Sequence, residues 1–246
     1  DVIKVSAFTD KEEAANIFKH HDLLVLPVVD NNDKLLGIVT FDDLVDVLED
    51  EATEDFERIA AVLPVDKPYL KANFFELTWK RSFWLFVLVI FETITALTMM
   101  RHSAAIQEVV ALAFFVPILI AMGGNTGTQS ATIIIRSLAV GDIRVKDFFR
   151  VIFKESLIGL SIGVTLALAG SCIVAILQRN WRLSAAVGIS MGLTIFLATT
   201  LGAGLPIIFR KLKLDPALMS GPLIATIVDV VGILIYFEIG KLILGL

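Results

Sequence analysis

From residue 81 onward the chain is a succession of long apolar stretches joined by short polar links. A helix of about 20 apolar residues crosses a bilayer, and five stretches approach or exceed that length. They run about Phe83–Met100, Val109–Ile135, Ser156–Leu177, Leu183–Phe209 and Met219–Leu242. Glu92 interrupts the first and Asp229 the fifth, which also carries Glu238 and Lys241 near its end. The preceding residues follow a different rhythm. Val2–Val5 reads as a strand, and Lys11–His20 as a helix capped by Thr9 or Asp10. Leu23–Val29 and Leu35–Val39 read as strands on either side of a turn at Asn31-Asn32-Asp33. Phe41–Leu48 turns helical, and Phe41, Leu44, Val45, Leu48, Ala52, Phe56, Ile59 and Leu63 continue it as one long amphipathic helix. Pro64–Lys71, with Pro68 inside, reads as a linker into the first span. The pattern predicts a mainly α, polytopic membrane helical bundle with a small α/β domain in front.

Composition agrees. Of 246 residues, 56% are hydrophobic and 19% charged, and the mean hydropathy is +0.80. Soluble domains carry about a quarter charged residues, so a purely soluble enzyme and a disordered chain are both excluded. One cysteine, Cys172, permits no internal disulfide and no cysteine-rich zinc site. His20 and His21 sit side by side, without metal-ligand spacing. No Ser/His/Asp or Cys/His set for nucleophilic catalysis is visible, so no enzyme is predicted. The chain opens at Asp1 without Met and without a leader pattern, as a piece of a longer protein would.

The net charge of −5 conceals a division: residues 1–80 carry 18 acids and 8 bases, and residues 81–246 carry 8 acids and 13 bases. An acidic front end does not suit nucleic acid, which selects a basic face; it suits cations. The bases of the short links fix the orientation. Lys80, Arg81, Arg144, Lys146, Arg150, Lys154, Arg210, Lys211 and Lys213 fall on one side, against Arg101, Arg179, Arg182 and Lys241 on the other. The richer side is that of residues 1–80, which are expected in the cytoplasm. Five spans then put the C-terminus outside. Trp79, Trp84 and Trp181 lie near span ends, where interfacial aromatics belong.

Polar residues inside the spans mark the candidate pathway. An acid at the bilayer centre costs about 2.5–3.5 kcal/mol and normally faces a protein interior or water. Asp229 shares a helical face with Ala225, Gly232 and Tyr236, and Pro222 lies one turn before that face begins at Ala225. Glu92 stands beside Thr93 and Thr95. Gly123-Gly124-Asn125-Thr126-Gly127-Thr128-Gln129-Ser130 lies within the second span, where polar side chains are costly unless they line water or pack closely. Asn125, Gln129, Thr132 and Arg136 form one helical stripe toward the cytoplasmic loop. Asp229, Asn125 and Gln129 are candidate ion ligands, with Glu92, Gly124, Thr128 and Thr132 as further lining. Amides, hydroxyls and carboxylates are oxygen ligands, suited to a hard cation, Mg2+ or Ca2+. A dimer with the seam on its two-fold axis would double this sparse set. The stretch is no phosphate loop, since the Gly-Lys-Ser/Thr ending is absent.

Between Asp42 and Glu57 stand nine acids and no base. Asp42/Asp46, Asp46/Asp50, Asp50/Glu54 and Glu51/Asp55 are like charges four residues apart, each pair costing a few tenths of a kcal/mol that a divalent cation would relieve. The EF-hand pattern is absent.

Leu26-Pro27-Val28-Val29-Asp30 through Gly37-Ile38-Val39-Thr40-Phe41-Asp42-Asp43 resembles the second half of a CBS-domain pair. Glu51-Ala52-Thr53-Glu54-Asp55, Pro117 with Gly123 through Thr132, and Ser220-Gly221-Pro222-Leu223-Ile224-Ala225-Thr226 with Asp229 resemble the MgtE family of magnesium channels and transporters. The resemblance divides the chain into a cytoplasmic CBS-type domain (1–49), an acidic plug helix and linker (50–80) and a five-span magnesium-conducting domain (81–246). It implies an inner-membrane homodimer with a pore on the two-fold axis, and a central Mg2+ site at Asp229 with the Ala225 carbonyl. It further implies a plug that cytoplasmic Mg2+ holds shut through Glu51, Glu54 and Asp55, with Asp43, Asp46 and, less directly, Asp22 on the CBS side. The family's acidic N-domain and first CBS repeat have no counterpart here. Some members bind ATP at the CBS pair; Thr40 and Asp43 match that pattern, with half the site missing. The alternatives are a divalent-cation transporter coupled to H+ or Na+, and a membrane Mg2+ sensor that moves no ion.

Overall fold

The computed structural model describes residues 2–65, 67–219 and 221–246. It divides into two compact units, Asp1–Glu57 and Arg58–Leu246, described separately below. The division falls in the last turn of a helix that continues unbroken past residue 49.

The first unit is a three-stranded sheet with two helices. β1 (Val5–Ser6) pairs in parallel with β2 (Val25–Val29), which pairs antiparallel with β3 (Leu35–Thr40). α1 (Lys11–His20) makes the crossover between β1 and β2. The turn between β2 and β3 is closed by Asp30, whose Oδ1 accepts from the Asn32 and Lys34 amides at 2.8 and 2.9 Å. Val5, Leu26 and Val29 from the sheet, Ala15 and Phe18 from α1, and Leu44 are buried in its core. The first strand is shorter than its apolar run, because only Val5 and Ser6 find partners on β2.

α2 (Phe41–Ile59) is the acidic helix. It ends before Leu63, because Ala61 takes a left-handed φ of 57° and Pro64 follows. Its apolar stripe is only partly used: Leu44 is buried, while Phe41, Val45, Leu48 and Phe56 are exposed.

Among the described residues of the second unit, five helices are long and apolar enough to cross a membrane. They are α3 (Phe74–Arg101), α5 (Ala111–Ala139), α6 (Phe148–Gln178), α7 (Trp181–Lys211) and α8 (Gly221–Leu244); a short α4 (Ser103–Glu108) links the first two. The protein is a mainly α, multi-pass membrane bundle. α3, α6 and α7 begin before their apolar stretches, whereas α5 and α8 begin two residues inside theirs. Asn73 accepts from the Phe75 amide to start α3, and Asn180 accepts from the Arg182 and Leu183 amides to start α7. The linker at 64–71 includes a 3-10 turn, Tyr69–Lys71; Asp66 within it lies outside the described residues.

α7 is the central helix, packed on α5, α6 and α8. Small residues allow this. A Cβ on Gly202 would stand 2.3 Å from the Gly127 carbonyl oxygen, and one on Gly163 would stand 2.7 Å from that of Gly192. α5 meets α7 at the first pair and α6 meets α7 at the second, backbone against backbone, as small residues permit in membranes. Ser171 and Ser184 exchange hydroxyl-to-carbonyl hydrogen bonds across α6 and α7 at 3.2 and 2.5 Å. Toward the end of the bundle where α5 begins, Leu112, Leu119, Leu183, Ile195, Ile233, Tyr236 and Phe237 fill the core, and the Tyr236 hydroxyl donates to the Leu112 carbonyl at 2.9 Å.

Candidate functional site

The α5–α8 seam opens into a groove of about 330 Å³. α5 contributes Gly124, Asn125 and Thr128, and α8 contributes Gly221, Pro222, Ala225 and Asp229. The four-residue spacing on both helices puts these side chains on facing stripes. Pro222 occupies the first turn of α8, where its missing N–H costs nothing. Ser220, which opens the Ser-Gly-Pro motif, lies outside the described residues. The Thr128 hydroxyl donates to the Gly221 carbonyl at 3.1 Å and ties the two helices at one end of the groove. Thr126 and Thr226 turn their hydroxyls back to Met122 and Pro222 carbonyls of their own helices, so neither is offered to the groove.

Asp229 is the one carboxylate among the residues that line the groove. It is 8% exposed, and its Oδ1 is buried without a hydrogen-bond partner among the described residues. Such an atom costs about 1–3 kcal/mol, more when charged. A Cβ on Gly124 would stand 3.7 Å from this oxygen and 3.2 Å from the Ala225 Cβ, so glycine keeps the wall open beside the carboxylate.

The remaining membrane candidates are distributed less compactly. Glu92 is exposed on α3 and is not among the residues that line the groove. Gln129 and Thr132 continue the α5 surface beyond the groove. With Asn125 and Arg136 they form an exposed polar stripe on the single chain.

The acids of α2 are strung along the helix. Among the described residues, no group of three or more His, Cys, Asp or Glu side chains is gathered to hold a metal. Asp43 is engaged locally: its Oδ2 accepts from the Thr40 amide and hydroxyl at 3.1 and 2.7 Å, capping α2. Those bonds hold the Asp43 carboxyl below the usual carboxylate range. The two residues of the nucleotide pattern are thus bonded to each other. Glu51 pairs with Lys11 at 3.3 Å. Asp46 is exposed, Glu54 and Asp55 are half-buried, and Asp22 lies exposed in a left-handed turn with φ of 48°.

Two carboxylates escaped the sequence reading. Glu155 is buried in α6 and accepts from the Ser130 hydroxyl of α5 at 2.6 Å. A charge-free window begins the third span one residue later, so Glu155 looks like its edge. Asp215, before α8, pairs with Arg58 at the end of α2, and both are part-buried.

A family model described as a divalent cation transporter, MgtE, matches residues 116–239, and a CBS-domain model matches residues 1–50. The chain belongs to the MgtE family. It is 42% identical over 247 residues to a magnesium transporter MgtE of Thermus thermophilus, covering 99% of this chain and 54% of that protein. It is 39% identical over 242 residues to a magnesium transporter MgtE of Bacillus subtilis, covering 97% and 52%. The chain therefore spans about half the length of the curated relatives it matches. The MgtE match takes in the whole α5–α8 groove, with Asp229 inside it. The CBS match takes in Asp22, Asp43 and Asp46, and Glu51, Glu54 and Asp55 fall between the two. MgtE proteins are transporters, not enzymes.

Proposed function

We propose that this chain conducts Mg2+ toward the cytoplasm, down its electrochemical gradient, with Asp229 as the ion's central site. The observation that carries this reading is the buried, unpartnered Asp229 oxygen at the wall of an open groove. Mg2+ sheds its waters reluctantly. Six waters at about 30 Å³ each occupy roughly 180 Å³, which a groove of about 330 Å³ accommodates. A hydrated ion would need few charges and several polar neighbours, here Asn125 and the Ala225 carbonyl. The names of the relatives point to the same ion.

The working unit in this proposal is a homodimer. The stripe of Asn125, Gln129, Thr132 and Arg136 is exposed on one chain, and lipid is a poor solvent for it. A second copy across a two-fold axis would enclose it and bring a second Asp229 to one conduit. Residues 1–80 are cytoplasmic by the distribution of basic residues. Cytoplasmic Mg2+ would close the path by neutralising the crowded acids of α2, with Glu51, Glu54 and Asp55 facing Asp43, Asp46 and Asp22 of a CBS region. Ions would reopen it by leaving.

The test is Mg2+ uptake into proteoliposomes carrying an internal fluorescent indicator, with no other gradient imposed. Wild-type uptake that disappears in Asp229→Ala is expected; an Asp229→Ala variant that conducts at the wild-type rate ends the assignment. A carboxylate buried within a span also suits a proton relay, so the burial of Asp229 favours a second reading, proton-coupled transport. Collapse of uptake on adding a protonophore, at fixed membrane voltage, would select it.

A further inference from the structure

We propose that α6 and α7 hold an anionic phospholipid of the cytoplasmic leaflet, its phosphate on Arg150 and Lys154 and an acyl chain in the groove over Gly163 and Gly192. This site lies apart from the α5–α8 groove and does not depend on what passes there.

An open groove of about 400 Å³ runs between α6 and α7, and its walls are almost wholly apolar: Leu160, Val164, Leu193 and Phe196 stand around the two glycines. The close approach of Gly163 to Gly192 makes the floor. On α6 the same face continues toward the start of the helix through Leu157, Phe153 and Phe149, spaced four residues apart. These three are 51%, 68% and 83% exposed. An apolar track thus leads from the groove to the helix end without a break.

At that end the chemistry changes sign. Arg150 and Lys154 are exposed on the first two turns of α6, and Arg210 and Lys211 are exposed on the last turn of antiparallel α7. Among the described residues none of these four forms an ion pair within the chain. By contrast, Lys67 of the linker and Lys80 of α3 share Glu76, at 2.9 and 3.7 Å. Four unpaired cations beside an apolar track complement a phosphate ester carrying a chain. The length fits as well. Ten residues separate Lys154 from Val164, about 15 Å at 1.5 Å per residue, and one leaflet is about half of a 30 Å hydrocarbon core. A chain whose headgroup rests on Lys154 would end in the glycine-floored groove.

The experiment reconstitutes the whole chain in phosphatidylcholine bilayers and measures the bound fraction of spin-labelled phosphatidylglycerol against spin-labelled phosphatidylcholine. The wild type is expected to favour the anionic lipid several-fold, less so at high salt. Arg150→Gln/Lys154→Gln should abolish the preference. Val164→Trp, which fills the groove from an exposed position, should weaken it with both bases intact. All three proteins should melt within a few degrees of one another, since the altered side chains are on the surface. Equal binding of the two lipids by the wild type would mean ordinary solvation by bilayer and would overturn the proposal. So would a preference that survives either variant, or one that inorganic phosphate removes while chloride at the same ionic strength leaves it, since that would mark a site for a free anion.

Discussion

Gly124 and Asp229 together define the narrowest chemical statement the protein makes. A methyl group at 124 would press on the Ala225 Cβ at 3.2 Å, so Gly124→Val should cut Mg2+ uptake at least tenfold and, because position 124 is buried, should also lower the melting temperature by a few degrees. Asp229→Asn separates charge from shape: it keeps the volume and removes the anion, and a loss of uptake as large as in Asp229→Ala is expected. Thr128→Val removes the hydroxyl that bonds the Gly221 carbonyl and should cost about 1 kcal/mol of stability by denaturant unfolding. At this scale the sequence was informative wherever polarity was costly. Asp229 and Asn125 announce themselves because an apolar neighbourhood gives them no ordinary reason to be there. Glu155 does not, since a carboxylate one residue before a charge-free window reads as the edge of the span. Its burial against Ser130 follows from the packing of α5 and α6.

The helices show what periodicity conveys and what it leaves out. All five spans are visible as apolar stretches, and each helix then extends past its stretch to a cap or a turn that hydropathy does not encode. Asn180 illustrates this: its side chain starts α7 by accepting two amides, and Asn180→Ala should lower stability by about 1 kcal/mol. α2 shows the reverse error, an apolar rhythm that runs on to Leu63 after the backbone has turned away at Ala61. The contact between α5 and α7 supplies a stronger test. A Cβ on Gly202 would overlap the Gly127 carbonyl oxygen, and overpacking of this kind costs about 1–3 kcal/mol. Gly202→Ala should therefore lower the melting temperature by several degrees, at about 2–4 °C per kcal/mol for a chain of this size. Gly37→Ala, with nothing within 4 Å of the added carbon, should be nearly silent in the same measurement.

For the whole molecule, the proposed dimer is tested without transport. Asn125→Cys in a Cys172→Ser background should give a cross-linked dimer with a short bifunctional maleimide in membranes, whereas Leu168→Cys, exposed on α6, should not. A monomer in both cases would remove the two-fold conduit. A partner is not readable from one chain, except as a stripe of polar residues left outside. Phe41, Val45, Leu48 and Phe56 of α2, like Leu35, Leu36 and Ile38 of β3, are exposed on the single chain. The bundle itself is complete in a different sense. Where Gly127 meets Gly202, neither residue has anything left to give up. A mutation elsewhere in the core can be rescued by trimming its neighbour, but glycine has no smaller substitute and a carbonyl cannot be trimmed. Selection for suppressors of Gly202→Ala should therefore return revertants to glycine, or changes at a distance that let α5 tilt, and none at position 127.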